Sequence, residues 1–315
     1  MNTDGERQLG SGMAGDRGGG CAVNELATVE LPSGPVVMEV SPLLKRAGIF
    51  HAFSTRIGGV SQAPYASLNF GSPMEVPAGA QRESANNIAE NFARLQLAAG
   101  HVLRATSARE LVEVYQVHGD TCLTVNPHQP AHGPQSTTTK ADAILTSDPA
   151  RVLAIRTADC VPLLIATGDG RHVAAIHAGW RGVVAGIVPK VAAAVRAAAL
   201  HDGRSAASLL VAIGPCISAA QFEVGPEVVT EFRRVFGDQA PVLAGGIAES
   251  SPADRSRIDL VAAIVLQLTS AGLASPADIS TSPHCTFADS NLFFSHRRDR
   301  GLTGRMASII APRGQ

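Results

Sequence analysis

Two histidines and one cysteine make the sharpest chemical proposal in this chain. His118 lies in Val-Tyr-Gln-Val-His-Gly-Asp (114–120), Cys160 in Arg-Thr-Ala-Asp-Cys-Val-Pro (156–162), and His177 in Ala-Ala-Ile-His-Ala-Gly-Trp-Arg-Gly (174–182). Two imidazoles and a thiolate are the ligands of a catalytic zinc site that keeps its fourth position open for water or substrate. Each residue also has a plainer role. His118 could be a turn histidine, Cys160 a small buried hydrophobe, and His177 a satisfied strand-end residue. Their mutual placement decides between the two readings.

That placement follows from a hairpin. Val161–Thr167 and His172–Ala178 are short apolar runs, and Gly168-Asp-Gly-Arg (168–171) between them is a strong turn signal. If Thr167 faces His172, then His177 falls opposite Pro162. Cys160, two residues before Pro162, then points to the same face as His177. Such diagonal neighbours stand roughly 7–8 Å apart at the backbone, a gap that two inward-leaning side chains close around one metal. A slip of one residue would send them to opposite faces.

Around this core lie further candidates. Asp159 could orient a ligand or serve as an acid or base; otherwise it is a turn-forming Asp. Ala178-Gly-Trp-Arg-Gly (178–182) reads as a strand-to-helix turn whose backbone N–H groups and Arg181 could hold an anion. Alternatively Trp180 packs and Arg181 pairs with a carboxylate. Arg56, beside Gly58-Gly59, and Asn69 are loop residues able to line a cleft. Ser295-His-Arg-Arg-Asp (295–299) with Arg305 is a basic cluster whose default is a solvated turn. Two other metal chemistries fail. Cytidine-type deaminases need His-x-Glu and Cys-x-x-Cys, and multicopper oxidases need several His-x-His pairs; the sequence has none of these.

The elements that must position these groups read as follows. With 45% hydrophobic and 17% charged residues over 315 positions, the chain has the composition of a globular protein with ample core. A net charge of −1 provides no field to attract nucleic acid or an anionic membrane. No apolar run approaches the ~18–20 residues that span a bilayer. Five scattered cysteines suit a reducing cytoplasm rather than a disulfide framework. Residues 1–35 read as a disordered Gly-rich leader without a signal peptide. One domain follows over 36–311, then a tail at 312–315. Helices are expected over Gly79–Leu97, Gly182–Leu200 with its regular part delayed to Pro189, Pro226–Phe236 and Ile258–Ala271. Strands are expected at Leu111–Val117, Ala143–Leu145, Val152–Arg156, the hairpin, Leu209–Ile213, Phe293–Ser295 and Arg305–Ile310. Asn126–Lys140 and Asp238–Arg255 read as loops. Strands arriving both as hairpins and between helices imply an α+β domain with mixed sheets flanked by helices. Nothing in the sequence speaks to oligomeric state.

Taken together, His51-Ala-Phe-Ser-Thr-Arg…Gly-Gly-Val-Ser, Ser67-Leu-Asn, Gln116-Val-His-Gly-Asp, Thr157-Ala-Asp-Cys-Val-Pro, His177-Ala-Gly-Trp-Arg-Gly, Phe222-Glu-Val-Gly and Phe294-Ser-His-Arg-Arg-Asp…Thr-Gly-Arg resemble the laccase-domain family. That family is also called the multicopper-oxidase-like purine nucleoside phosphorylases and includes the peptidoglycan editing factors. The resemblance runs from about Val36 to Ala311. It implies zinc on His118, Cys160 and His177, and small-molecule partners, a nucleoside and phosphate. The implied reactions are phosphorolysis of adenosine, inosine and methylthioadenosine, and deamination of adenosine. Arg181 and Arg56 would then hold phosphate. The chain departs from the family pattern in His296, where Tyr is usual, in Arg300-Gly-Leu, which lengthens a turn, and in Pro189. Two alternatives stand beside this reading. One is a cysteine hydrolase with Cys160 as nucleophile and His177 as base, cutting an amide of a peptidoglycan precursor. The other is a non-catalytic nucleotide or metal sensor.

Overall fold

The expected hairpin lies within the larger of two packed sheets. In a computed structural model, which describes residues 21–72, 81–105, 109–126, 139–204, 208–247 and 254–314, strands Val161–Thr167 and Val173–Ala178 pair antiparallel with His177 opposite Pro162. Turn chemistry sets that register. The Asp169 carboxylate accepts from Thr167 Oγ1 at 2.6 Å and from the Arg171 amide at 3.0 Å. Gly170 takes φ 71°, where an L side chain would be strained.

Seven strands form this sheet, in spatial order Ala22–Val23, Ile279–Thr281, Leu209–Ile213, Val161–Thr167, Val173–Ala178, Ala143–Thr146 and Cys122–Val125. A six-stranded sheet runs Glu25–Leu31, Gly34–Val40, Phe50–Ser54, Met306–Ala311, Arg151–Thr157 and Glu110–Val112. Both mix parallel and antiparallel pairs. A small third sheet joins Glu223–Val224, Ser256–Ile258 and Val242–Ala244. The fold is α+β, as expected.

Side-chain alternation along the central strands sorts the layers. Val161, Leu163, Ile165, Ala174 and Ile176 pack against helices Trp180–Val184, Ile187–His201, Pro226–Phe236 and Leu260–Ser270. Leu164, Ala166, Val173 and Ala175 face Phe53, Leu153, Ile155 and Ile310 of the other sheet. The far side of that second sheet is covered by Phe92, Leu95, Ala98 and Ala99 of helix Ala85–Leu103. His177 shares the parity of Val173 and Ala175, so it opens toward the gap between the sheets at the end of its strand.

Several boundaries differ from the sequence reading, each for a local reason. Order does not wait for Val36. Glu25–Leu31 and Gly34–Val40 form a hairpin, and Ala22–Val23 pairs with Ile279–Thr281, so residues 21–35 are edge strands rather than leader. Residues 1–20 lie outside the described residues, as do 127–138 of the expected loop. The helix expected at Gly79–Leu97 runs Ala85–Leu103, because Ser84 caps it by accepting from the Asn87 amide. Gly182–Leu200 divides into two helices at Gly186, which has φ 78°. Pro189 then falls in the first turn of the second helix, where its missing N–H costs nothing. Val242–Ala244 is a short strand inside the expected loop over Asp238–Arg255. Phe293–Ser295 is not a strand. The Arg298 guanidinium takes the carbonyls of Thr286, Phe287 and Phe293 and holds a chain of turns there. Among the described residues no helix is long and apolar enough to cross a membrane.

Candidate metal centre

His118, Cys160 and His177 meet at the end of the inter-sheet gap. Their ligand atoms lie within 4.8 Å of one another, and this is the one such group of three among the described residues. The imidazoles meet edge to face, with centroids 4.8 Å apart at 77°. Burial grades from His177, fully inside, through Cys160 to the exposed His118. The donor set fits a metal ion. Tetrahedral bonds of ~2.0–2.3 Å place such donors roughly 3.5 Å apart, a modest contraction from the distances here.

Three elements deliver the ligands, and one residue the sequence reading missed holds two of them. Asp142 immediately precedes strand Ala143–Thr146 and is wholly buried. Its Oδ1 accepts from the His118 amide at 2.9 Å and bonds His177 Nδ1 at 2.8 Å; its Oδ2 accepts from the amides of Val117 (3.2 Å) and Gly119 (2.7 Å). Its carbonyl also accepts from the His177 amide at 2.8 Å. Asp142 thereby fixes the His177 tautomer with Nδ1 protonated and Nε2 free for a metal, the usual outer partner of a ligating histidine. It also explains why the strand expected over Leu111–Val117 stops at Val112. The amides of 117–119 turn onto the carboxylate, and His118 adopts φ 60°. Left-handed backbone at a histidine is a strained state that the surroundings must enforce. A lone acid heading the apolar run Ala143–Leu145 was the available signal, since a buried carboxylate must find donors.

Electrostatics favour the thiolate. Burial pushes the Cys160 thiol up, but the His177 charge and the hydrogen bonds of His118 and His177 outweigh it and bring it down to about 6. Burial likewise opposes the His177 cation, yet the Cys160 charge and the Asp142 bond raise it to about 9. Burial would also raise the Asp142 carboxyl, but the bonds from His177, Gly119 and His118 hold it below the usual carboxylate range. A metal cation competes for the place of the proton these groups share.

Gly179 makes the triad sterically possible. A Cβ there would stand 3.1 Å from Cys160 Sγ and 3.1 Å from His118 Cδ2. Gly179→Ala is therefore expected to weaken metal binding by roughly tenfold, as changes to the surround of a metal site do. Competition against a chromophoric chelator measures it; wild-type affinity in the variant would refute the steric argument.

The other sequence candidates take distinct positions. Asp159 flanks the triad with φ 90°, and its carboxylate accepts from Thr286 Oγ1 at 2.6 Å and the Arg297 amide at 2.7 Å. It ties the Cys160 turn to the C-terminal loop. Arg56 spends Nε and Nη2 on the Ala66 carbonyl and Nη1 on that of Ser290, and stacks over Phe294 at 4.5 Å. Asn69 is fully buried, donating to Glu83 and accepting from the amides of Gly71 and Arg305. Arg181 is exposed on the five-residue helix Trp180–Val184 and lies 4.4 Å over the Trp180 ring. Gln116 clamps the His118 loop to the second sheet, its amide exchanging two bonds with the backbone of Arg156 at 2.7 and 2.8 Å.

Fold and site define an α+β protein whose metal-type centre of two histidines and one cysteine sits where two sheets part. The chain belongs to the family described as multi-copper polyphenol oxidoreductase laccase, whose profile matches residues 50–313. A purine nucleoside phosphorylase of Deinococcus radiodurans is 35% identical over 274 residues, spanning 85% of this chain and 92% of that protein. The purine nucleoside phosphorylase YfiH of Escherichia coli is 34% identical over 265 residues, spanning 84% and 93%. Among solved structures, YlmD from Geobacillus stearothermophilus superposes with a TM-score of 0.72 at 31% identity, covering 88% of this chain and 96% of that one.

Proposed function

We propose that this chain is a zinc-dependent purine nucleoside phosphorylase acting on adenosine, inosine and methylthioadenosine, with adenosine deamination as a second activity. The observation that carries the reading is the gathered His118–Cys160–His177 group in a chain similar over most of its length to proteins named purine nucleoside phosphorylases. Two nitrogens and a thiolate favour zinc over the calcium-type hard ions. The family description speaks of several coppers. Against copper stand the lack of any His-x-His pair in the sequence and the single ligand group among the described residues. Zinc held by His118, Cys160 and His177 would supply a Lewis acid there.

The protein's own groups supply the rest. Asp142 orients His177, and Asp159 positions the Cys160 turn through Thr286 and Arg297. Exposed Arg181 is a substrate contact in this reading, while Arg56 and Asn69 brace the surrounding loops. In phosphorolysis a phosphate oxygen bonds to C1′ of the ribose as the bond from C1′ to the purine nitrogen breaks, and the purine leaves with a proton. Five unpaired cysteines support a reducing, cytoplasmic setting.

A cysteine hydrolase acting on a peptidoglycan-precursor amide is the second reading, favoured by the Asp142–His177 bond beside Cys160, which has the order of an orienter, a base and a nucleophile. Chelation separates the two. Purified protein is assayed for metal, then incubated with adenosine and phosphate before and after metal removal, and products are resolved by chromatography. Zinc near one per chain, with adenine, ribose 1-phosphate or inosine only in the loaded sample, is the expected result. Turnover that survives metal removal would overturn it, as would protein that takes up no zinc and leaves adenosine untouched. Tight nucleoside binding without product would identify a sensor.

A further inference from the structure

We propose that Arg156 and Arg305 form the phosphate subsite of this centre, a role the sequence reading gave to Arg56 and Arg181; the assignment deepens the phosphorylase reading and rests on it for the phosphate's part in the reaction. Arg156 ends strand Arg151–Thr157 and Arg305 immediately precedes strand Met306–Ala311. These strands pair with Thr157 opposite Met306 and Arg156 opposite Ala307. Continued one step, the register makes the two arginines diagonal neighbours on one face of the sheet. Their side chains converge beside Gly71. A Cβ there would meet Arg156 Nη1 at 3.3 Å and Arg305 Cγ at 3.6 Å.

Two guanidinium groups this close repel each other, and nearby carboxylates offset them poorly. Arg156 Nε stands 3.5 Å from Glu113. The Glu113 carboxyl is buried with neither oxygen hydrogen-bonded, and burial raises it to about 7 despite Arg156. Arg305 gives only Nη1 to protein, to the carbonyls of Thr303 and Gly304. Its Nε and Nη2 have no acceptor among the described residues, and neither do the Nη groups of Arg156. The half-buried Arg305 is nevertheless held in place, since its amide donates to Asn69 Oδ1 at 2.8 Å. Arg156 lies four residues before Cys160, and its backbone exchanges two hydrogen bonds with Gln116, two residues before His118; Arg305 beside it is near enough to the triad to feel the Cys160 charge. Preorganised guanidinium groups that keep N–H donors to spare beside a reaction centre are the arrangement that recognises a phosphate group. By contrast Arg56 has already committed its fork to backbone carbonyls.

The test uses full-length, metal-loaded protein and the variants Arg305→Met, Arg156→Met and Arg305→Lys, each checked for wild-type zinc content. In steady-state phosphorolysis each Met variant is expected to raise KM for phosphate at least tenfold while KM for adenosine stays within about twofold. Arg305→Lys, which keeps charge but loses the fork, should fall between. Independently of turnover, inorganic phosphate is expected to raise the melting midpoint of the wild type and not of the Met variants. If wild-type protein shows no phosphorolysis but inorganic phosphate or adenosine 5′-monophosphate still stabilises it through these arginines, the phosphorylase reading fails and the subsite stands. Stabilisation by the nucleotide alone would identify a phosphate ester as its ligand. Unchanged phosphate KM and undiminished stabilisation in whichever variants fold would overturn the assignment, as would wild-type protein stabilised by neither ligand.

Discussion

Cys160→Ser is expected to leave the fold intact and abolish nucleoside turnover, with a loss on the order of 10³-fold or more. The thiolate is the anionic member of the three ligands, and a serine hydroxyl neither ionises at neutral pH nor matches sulfur's affinity for a borderline-soft ion. A Lewis-acid contribution of several kcal/mol disappears with the metal, and each ~1.4 kcal/mol is a factor of ten in rate. The substitution is nearly isosteric, and the hydrogen bonds at the Cys160 side chain run to its fellow ligands His118 and His177. Its melting midpoint should therefore track that of chelated wild type. Metal content by mass spectrometry, turnover and thermal unfolding measure the three quantities together. Full activity in metal-free Cys160→Ser would remove both the zinc and the thiol readings at once.

The second large effect is expected at a residue that touches no substrate. Asp142→Asn replaces a carboxylate whose two oxygens accept from three backbone amides and His177. In either orientation the new amide N–H₂ faces donors. With Oδ1 replaced it meets the His118 amide and His177 Nδ1–H; with Oδ2 replaced it meets the amides of Val117 and Gly119. A buried donor left unsatisfied costs about 1–3 kcal/mol, so a loss of about 2–4 kcal/mol is expected. At roughly 2–4 °C per kcal/mol for a chain of this size, the melting midpoint should drop by about 5–15 °C. Released from its bond, His177 can exchange tautomers, and metal affinity should fall about 10–100-fold. The discriminating observation is the coupling of the two effects. Normal metal affinity in a destabilised variant would mean that Asp142 holds the loop without orienting the ligand.

Much of the centre was legible because its logic is local. The hairpin register follows from two apolar runs of matched length around a Gly-Asp-Gly turn, and the pairing of His177 with Pro162 follows directly. Helix Pro226–Phe236 is bounded by Pro at its start and Gly after its end, and it spans the predicted residues. Where cues were weaker the boundaries moved. Helix Ala85–Leu103 overran its expected end because Gly100 lies buried within it, where packing offsets a poor propensity. The edge strands of residues 21–35 were missed because a polar, exposed strand carries little hydrophobic pattern.

By itself the sequence determined which residues can ligate a metal, that two of them share a face of one hairpin, and that the chain builds mixed sheets between helices. These are properties of residue type, period and turn, and they operate over a few residues. Only the tertiary structure decided who stands beside them. Asp142 reaches His177 across 35 positions, Thr286 reaches Asp159 across 127, and the Arg305 amide reaches Asn69 across 236. A two-residue period tells which way a side chain points but not which strand lies next to it. Arg56 and Asn69 therefore read as free cleft residues until the folded loops supplied their partners, while Arg156 and Arg305 became neighbours only once their strands were paired.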